Sequence, residues 1–169
     1  MTTIPLHHRI YCNGFYFKEK PGDRPLILSA AVNYNIDKVY YRSIKKGKDI
    51  TLDDGTVIPN SELTKDAAQV KSYAFCSDTR YDEAKLPQLK DTTVLYHEST
   101  FLESHKHLSY PTGHSTAIEA ATIADKANVG KLILGHYSTR YGDLSLFKKE
   151  AQTVFSSVEL ADDGKVFEF

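Results

Sequence analysis

Four short polar clusters in this 169-residue sequence carry side chains that hold metals and phosphates. Asp78 follows an apolar run in "FCSDT", and His97 and Glu98 lie in "LYHEST". His114 opens "GHSTAIEAATIA", and His136, Ser138 and Arg140 close "LILGHYSTR". Carboxylate and imidazole together suit borderline metals such as zinc. An imidazole beside a carboxylate can be held protonated as a general acid. A guanidinium suits a phosphate. A lone His or Asp at a strand end is more often a cap or turn former. Four such clusters ending four neighbouring elements are harder to assign to capping alone, which leaves a metal or phosphate site as the functional reading.

The elements that must position these groups are legible in outline. Residues 4–20 alternate like a strand or hairpin, and "PLILSA" reads as a strand or the start of a buried helix. "DITL" and "TVIP" flank the turn signal "DDG", which predicts a hairpin. Val70 to Cys76 and Thr93 to Tyr96 read as strands that stop at polar turns. The clearest helix follows Ser115 or Thr116, either of which can cap it. Ile118, Ala121 and Ala124 form its packing face and Gly130 its end. After a strand at Leu132–Leu134 come a second helix around Leu144–Phe155 and a terminal hairpin of "SVELA" and "KVFEF". Strands interleaved with helices predict an α/β or α+β fold, a mixed sheet covered by helices. In open sheets of that kind strand ends line the ligand crevice, and helix N-termini favour anions.

The bulk composition narrows the class. Apolar residues are 41% and charged residues 25%, with a net charge of −1, so any basic surface is local. One such stretch is Lys38, Arg42, Lys45, Lys46 and Lys48, with Tyr40 and Tyr41 among them and no acidic residue between Lys38 and Lys48. It reads as a backbone-reading nucleic-acid element or a solvated basic hairpin. Cys12 and Cys76 lack metal or disulfide spacing, which fits a reducing, cytoplasmic setting. No apolar run is long enough to span a membrane, and no signal-peptide core is present.

"SDTRY", "HESTF", "GHSTAIEAATIA" and "LILGHYSTRY", in that order, closely resemble the C-terminal half of ribonuclease Z, a zinc-dependent endonuclease that trims the 3′ end of precursor tRNA. The resemblance covers essentially the whole chain, with "LHHRIYCNGF" similar to the stretch around a further metal ligand. It implies that residues 1–169 form one partial metallo-β-lactamase-like domain, with an exosite-like arm inserted at about residues 30–65. It implies that Asp78 bridges two zinc ions, that His136 binds one, and that His8 binds the other. His8 is preferred to its neighbour His7 because it stands four residues before Cys12 and six before Gly14. It implies that His114 donates a proton to the leaving 3′ oxygen, with Glu98 orienting it and His97 in the same loop. Arg140, Ser138 and Thr79 are implied to hold the phosphate, and the basic stretch to grip tRNA, in a homodimer.

The family's His-x-His-x-Asp-His motif is absent. "ESHKHLSYP" offers only His105 and His107, in the wrong order, and reads as a solvated loop. The ligands implied here are then three, and because Asp78 bridges, each zinc has two protein ligands where about four are usual. The expectation is a chain inactive by itself, with apolar sheet surface exposed where an N-terminal half would lie. The competing readings are a non-catalytic RNA-binding or self-associating module and another metallo-β-lactamase-fold phosphodiesterase.

Overall fold

The computed structural model describes Met1–Phe169 and divides into two units, Met1–Lys18 with Lys71–Phe169, and Glu19–Val70.

The first unit is built on one six-stranded sheet. Its strands are β1 (Thr2–Leu6), β2 (Cys12–Lys18), β5 (Ser72–Cys76), β6 (Val94–Glu98), β7 (Lys131–Gly135) and β8 (Val158–Leu160), in the order β1-β2-β5-β6-β7-β8. β1, β2 and β5 pair antiparallel, whereas β5 to β8 run parallel. The register Cys76↔His97↔Leu134 brings the C-terminal ends of the three central strands to one edge.

Helix α6 (Ala117–Lys126) packs on one face through Ala117, Ala120, Ala121 and Ala124, all fully buried. Such small side chains let the helix axis approach closely, and Leu95, Leu132, Leu134, Ile123 and Phe147 fill the core around them. Each buried Leu or Ile contributes about 1.5–3 kcal/mol. Thr116 is the cap. Its hydroxyl accepts from the Glu119 amide (3.1 Å) and its own amide donates to Glu119 (2.9 Å), a capping box. The expected face is shifted, because Ile118 is only half-buried and Ile123 takes the core position. The helix also stops before Gly130, with Asn128 in the left-handed region (φ 52°).

The opposite face is aromatic and partly open. Phe75 stacks on Tyr96 (4.6 Å), and Tyr73 lies between Phe17 and Phe169. The expected "KVFEF" strand is not formed. Phe167 and Phe169 instead help line a cleft of about 380 Å³ over Tyr73, Phe75, Tyr96 and Ile133. Ring contacts across the aromatic face take the place of a short edge strand here, with Phe169 still exposed. The second predicted helix is shorter than expected, α7 (Ser145–Ala151). Both cysteines are free.

The second unit has its own core of Ile36, Ile44, Ile50, Ile58 and Leu63. "PLILSA" resolves into helix α1 (Leu28–Asn33), and the predicted hairpin is β3 (Ile50–Thr51) with β4 (Val57–Ile58). The basic stretch is helical rather than a hairpin: a 3-10 turn at Lys38–Tyr40 capped by Asp37 leads into α2 (Tyr41–Lys45). Short α3 (Asn60–Leu63) closes the unit. Buried Asn60 donates to the Ile44 carbonyl (2.7 Å) and the Lys48 carbonyl (3.0 Å). Lys38, Arg42, Lys45, Lys46 and Lys48 are all exposed, with Lys46 also paired to Asp23 (2.6 Å).

Candidate active site

The central strands end in residues that leave the extended conformation abruptly. Asp78, just past β5, and His136, just past β7, both hold left-handed backbone, φ 54° and 58°. Such angles are uncommon for residues with a Cβ, and they swing both side chains off the sheet edge toward each other. His136 Nε2 lies 3.2 Å from Asp78 Oδ1. Gly135 makes this corner possible, since a Cβ there would sit 2.3 Å from the Tyr96 hydroxyl.

Glu98 ends β6 and is fully buried. It accepts from the amides of Thr79 (3.0 Å), Thr100 (3.0 Å) and Ser115 (3.2 Å), from the Thr100 hydroxyl (2.7 Å) and from His114 Nδ1 (2.7 Å). Burial pushes its carboxyl up, but the His114 bond and charge and the Thr100 hydroxyl outweigh this and hold it below the usual range. The bond to Glu98 raises His114 above the ordinary imidazole value, against partial burial, with the Glu98 and Asp78 charges adding to the rise. The pair therefore favours imidazolium beside carboxylate.

Two further imidazoles gather around that pair. His114 lies 5.2 Å from His136 and 4.8 Å from His8, between ring centroids. Donor atoms of His8, Asp78 and His114, and of Glu98, His114 and His136, form two groups within 4.8 Å. His7 is turned away, paired with Asp82 at 3.2 Å. His8 Nδ1 donates to the Gly113 carbonyl (3.0 Å), which leaves its Nε2 lone pair free. The Thr100 hydroxyl donates to Glu98, so it accepts from His136 Nδ1 (2.8 Å) and leaves the His136 Nε2 lone pair facing Asp78. A lone pair opposite a carboxylate oxygen asks for a proton or a cation between them. Two ligands of a tetrahedral ion, each at about 2.1 Å, stand roughly 3.4 Å apart, close to the observed 3.2 Å. The donor set fits a metal.

Other predicted residues fall elsewhere. His97 does not join the cluster. Strand alternation turns it to the face opposite Glu98, where it is buried and its Nδ1 donates to the Glu98 carbonyl (2.8 Å). Burial holds it below the usual imidazole value, as a neutral core residue. Thr79 is fully buried, its hydroxyl engaged by the His7 amide and the Arg80 carbonyl, so it braces Glu98 rather than facing a phosphate. Arg140 is exposed, donates from Nε to Ser138 Oγ (3.0 Å) and lies 5.2 Å over the Phe101 ring, which neighbours His114. His105 and His107 lie in a 3-10 turn and in α5 (Lys106–Thr112), not a loop, and His105 Nδ1 is bonded to the Tyr141 hydroxyl (2.9 Å).

Two positions escaped the sequence reading. Thr100 joins Glu98 to His136, and only its place two residues after Glu98 could have marked it. Gly113 ends α5 in the left-handed region (φ 79°), where a Cβ would meet His8 Nδ1 at 2.8 Å. A glycine directly before His114 was the available signal.

The architecture is that of the metallo-β-lactamase fold. The fold resembles the metallo-β-lactamase fold protein YhfI from Bacillus subtilis, with a TM-score of 0.63, 20% identity, and 99% of this chain and 48% of that one covered. It also resembles human tRNase Z, short form, with a TM-score of 0.54, 18% identity and coverage of 98% and 41%. By sequence the chain belongs to the ribonuclease Z family. It is 41% identical over 162 residues to "Ribonuclease Z" of Parabacteroides distasonis, covering 96% of this chain and 53% of that one. For the protein of the same name from Bacteroides thetaiotaomicron it is 40% identical over 164 residues, covering 97% and 52%. The chain thus spans about half the length of the curated relatives it matches. No protein-family model matches it. No helix is long and apolar enough to cross a membrane.

Proposed function

We propose that this chain is the C-terminal half of a zinc-dependent ribonuclease Z that cleaves the 3′ trailer of precursor tRNA in the cytoplasm, and that it does not hydrolyse RNA alone. One observation carries the reading: Asp78 and His136 meet at the same sheet edge as the Glu98–His114 pair, in a chain whose relatives are ribonucleases Z.

His8, Asp78 and His136 are the residues that would hold zinc. Bound zinc would polarise the phosphate and neutralise the charge that grows on it. Glu98 keeps His114 protonated and aimed, so that His114 can pass a proton to the leaving 3′ oxygen. Arg140, steadied by Ser138, binds the scissile phosphate. The exposed basic residues from Lys38 to Lys48 contact the tRNA backbone, and the active form is a homodimer. Because the 169 residues carry no His-x-His-x-Asp-His motif, each ion would have only two of its usual ligands here.

The test is elemental analysis of the dialysed chain, followed by precursor-tRNA cleavage with and without a polypeptide supplying the other half. The expected result is well under one zinc per chain and cleavage only after complementation. Near two zinc ions per chain, with cleavage by the chain alone, would overturn the half-site reading. RNA binding that never leads to cleavage after complementation would favour a binding module.

A further inference from the structure

Beside the imidazole cluster a cleft of about 520 Å³ opens between the β1–β2 turn and the end of α5. Its wall includes His7, His8, Arg9, Tyr11, Arg80 and Tyr110, and no carboxylate. The Arg80 guanidinium lies over the Tyr110 ring at 4.7 Å, and the Arg80 amide is pinned to the His7 carbonyl at 2.9 Å. Tyr110 is 70% exposed and Tyr11 84% exposed, so two aromatic rings stand in water next to two arginines. His8 connects this wall to His114, 4.8 Å away between ring centroids.

Aromatic rings and a guanidinium plane with net positive charge select a ligand that is both flat and anionic. Unpaired RNA has that character: its bases stack on aromatic or arginine planes, and its phosphates seek cations. A cleft of this size admits one nucleotide. We infer that it is a nucleotide subsite, which takes an unpaired residue next to the scissile bond, with the base on the Arg80–Tyr110 platform and the phosphate on Arg9. This rests on the RNA-cleaving reading above and adds residues which that reading does not use. Exposed Ile10, at 73%, also lines the cleft and could suit a polypeptide, so the test separates the two.

The probe is a short RNA with an unpaired 3′ end carrying 2-aminopurine, titrated with the full chain. Quenching on binding is expected, since stacking lowers the fluorescence of that base. Tyr110→Ala should weaken binding about 5- to 160-fold, the range typical for loss of one stacked base. Tyr110→Phe should retain it. Arg80→Lys keeps the charge but loses the plane, and should weaken binding while leaving its salt dependence unchanged, which guards against a misfolded Tyr110→Ala. No quenching by the unaltered chain, or equal affinity in all variants, overturns the subsite. So does a Tyr110→Ala defect confined to association with a supplied N-terminal half. Precursor-tRNA cleavage by the complemented protein reads the RNA-processing role separately. Full cleavage by Tyr110→Ala removes the subsite and leaves that role standing.

Discussion

His136 Nε2 and Asp78 Oδ1 approach to 3.2 Å, and each residue reaches that position through a left-handed backbone. An L-residue there costs about 1–2 kcal/mol relative to the right-handed conformation, less for Asp than for most others. Glycine escapes that cost, although its unfolded chain gains about 0.5–1 kcal/mol of extra freedom. Asp78→Gly should therefore leave the metal-free chain as stable as the parent, even though it removes a site residue. Urea unfolding decides this, and a loss of more than about 1 kcal/mol would show that no strain is held there.

Glu98 should be the opposite case. Replacing it with Ala strands buried amides of Thr79, Thr100 and Ser115 together with the His114 imidazole. Removing one partner of such a buried, charged network costs about 3–5 kcal/mol. Glu98→Gln keeps one of the two acceptor oxygens and turns an NH2 toward the donors on the other side, so it should cost less than Glu98→Ala without being neutral. Equal midpoints for the two variants in chemical denaturation would contradict the network.

The same pair sets a pH window. His114 is raised on folding, so its contribution is complete below about pH 6.5 and is lost as pH climbs through the raised value. Glu98 is lowered, so its contribution is present above about pH 4.5 and is lost as pH falls through the lowered value. The stability added by the pair should be greatest between those limits and decline on the alkaline side. Thermal melts across pH would show this decline in the parent and its absence in Glu98→Gln.

His97 should act in the other direction. Burial lowers its folded value, so the unfolded chain takes up the proton more readily and stability falls as pH drops below about 6.5. His97→Gln should flatten that acid limb without altering the alkaline one. An unchanged acid limb in the same melts would place the acid sensitivity elsewhere.

Gly113→Ala meets two obstacles, a φ of 79° and a Cβ at 2.8 Å from His8 Nδ1. The expected loss is about 1–3 kcal/mol, with a shifted His8 ring resonance in NMR spectra. A His8 signal identical to the parent's would mean that the carbonyl of residue 113 does not hold the ring.

Much of this architecture is local enough to read from the chain. Thr116 and Glu119 announce helix α6, the first "DDG" announces the β3–β4 turn, and polar clusters mark where the strands stop. What periodicity could not supply was context. "KVFEF" has the pattern of a strand, yet Phe167 and Phe169 gain more by lying on the aromatic face of the sheet. Lys38–Lys45 turns helical because Asp37 caps it and Ile44 enters a separate core. Thr79 and His97 have the types of site residues, but strand alternation and the demands of Glu98 bury them. Thr100 reaches His136 and Gly113 reaches His8, partners distant in sequence.

The antiparallel ladder between β2 and β5 pairs Lys18 with Ser72, and the second unit, Glu19–Val70, fills the interval between those strands. The two points where that unit leaves and re-enters the sheet are therefore neighbours across a single rung. Chain length added or removed there changes only what hangs from the hairpin, not the register that aligns Asp78 with Glu98 and His136. In engineering terms the unit is a cassette: it can be lengthened, exchanged or cut to a tight turn while the edge that bears Asp78, Glu98 and His136 keeps its register.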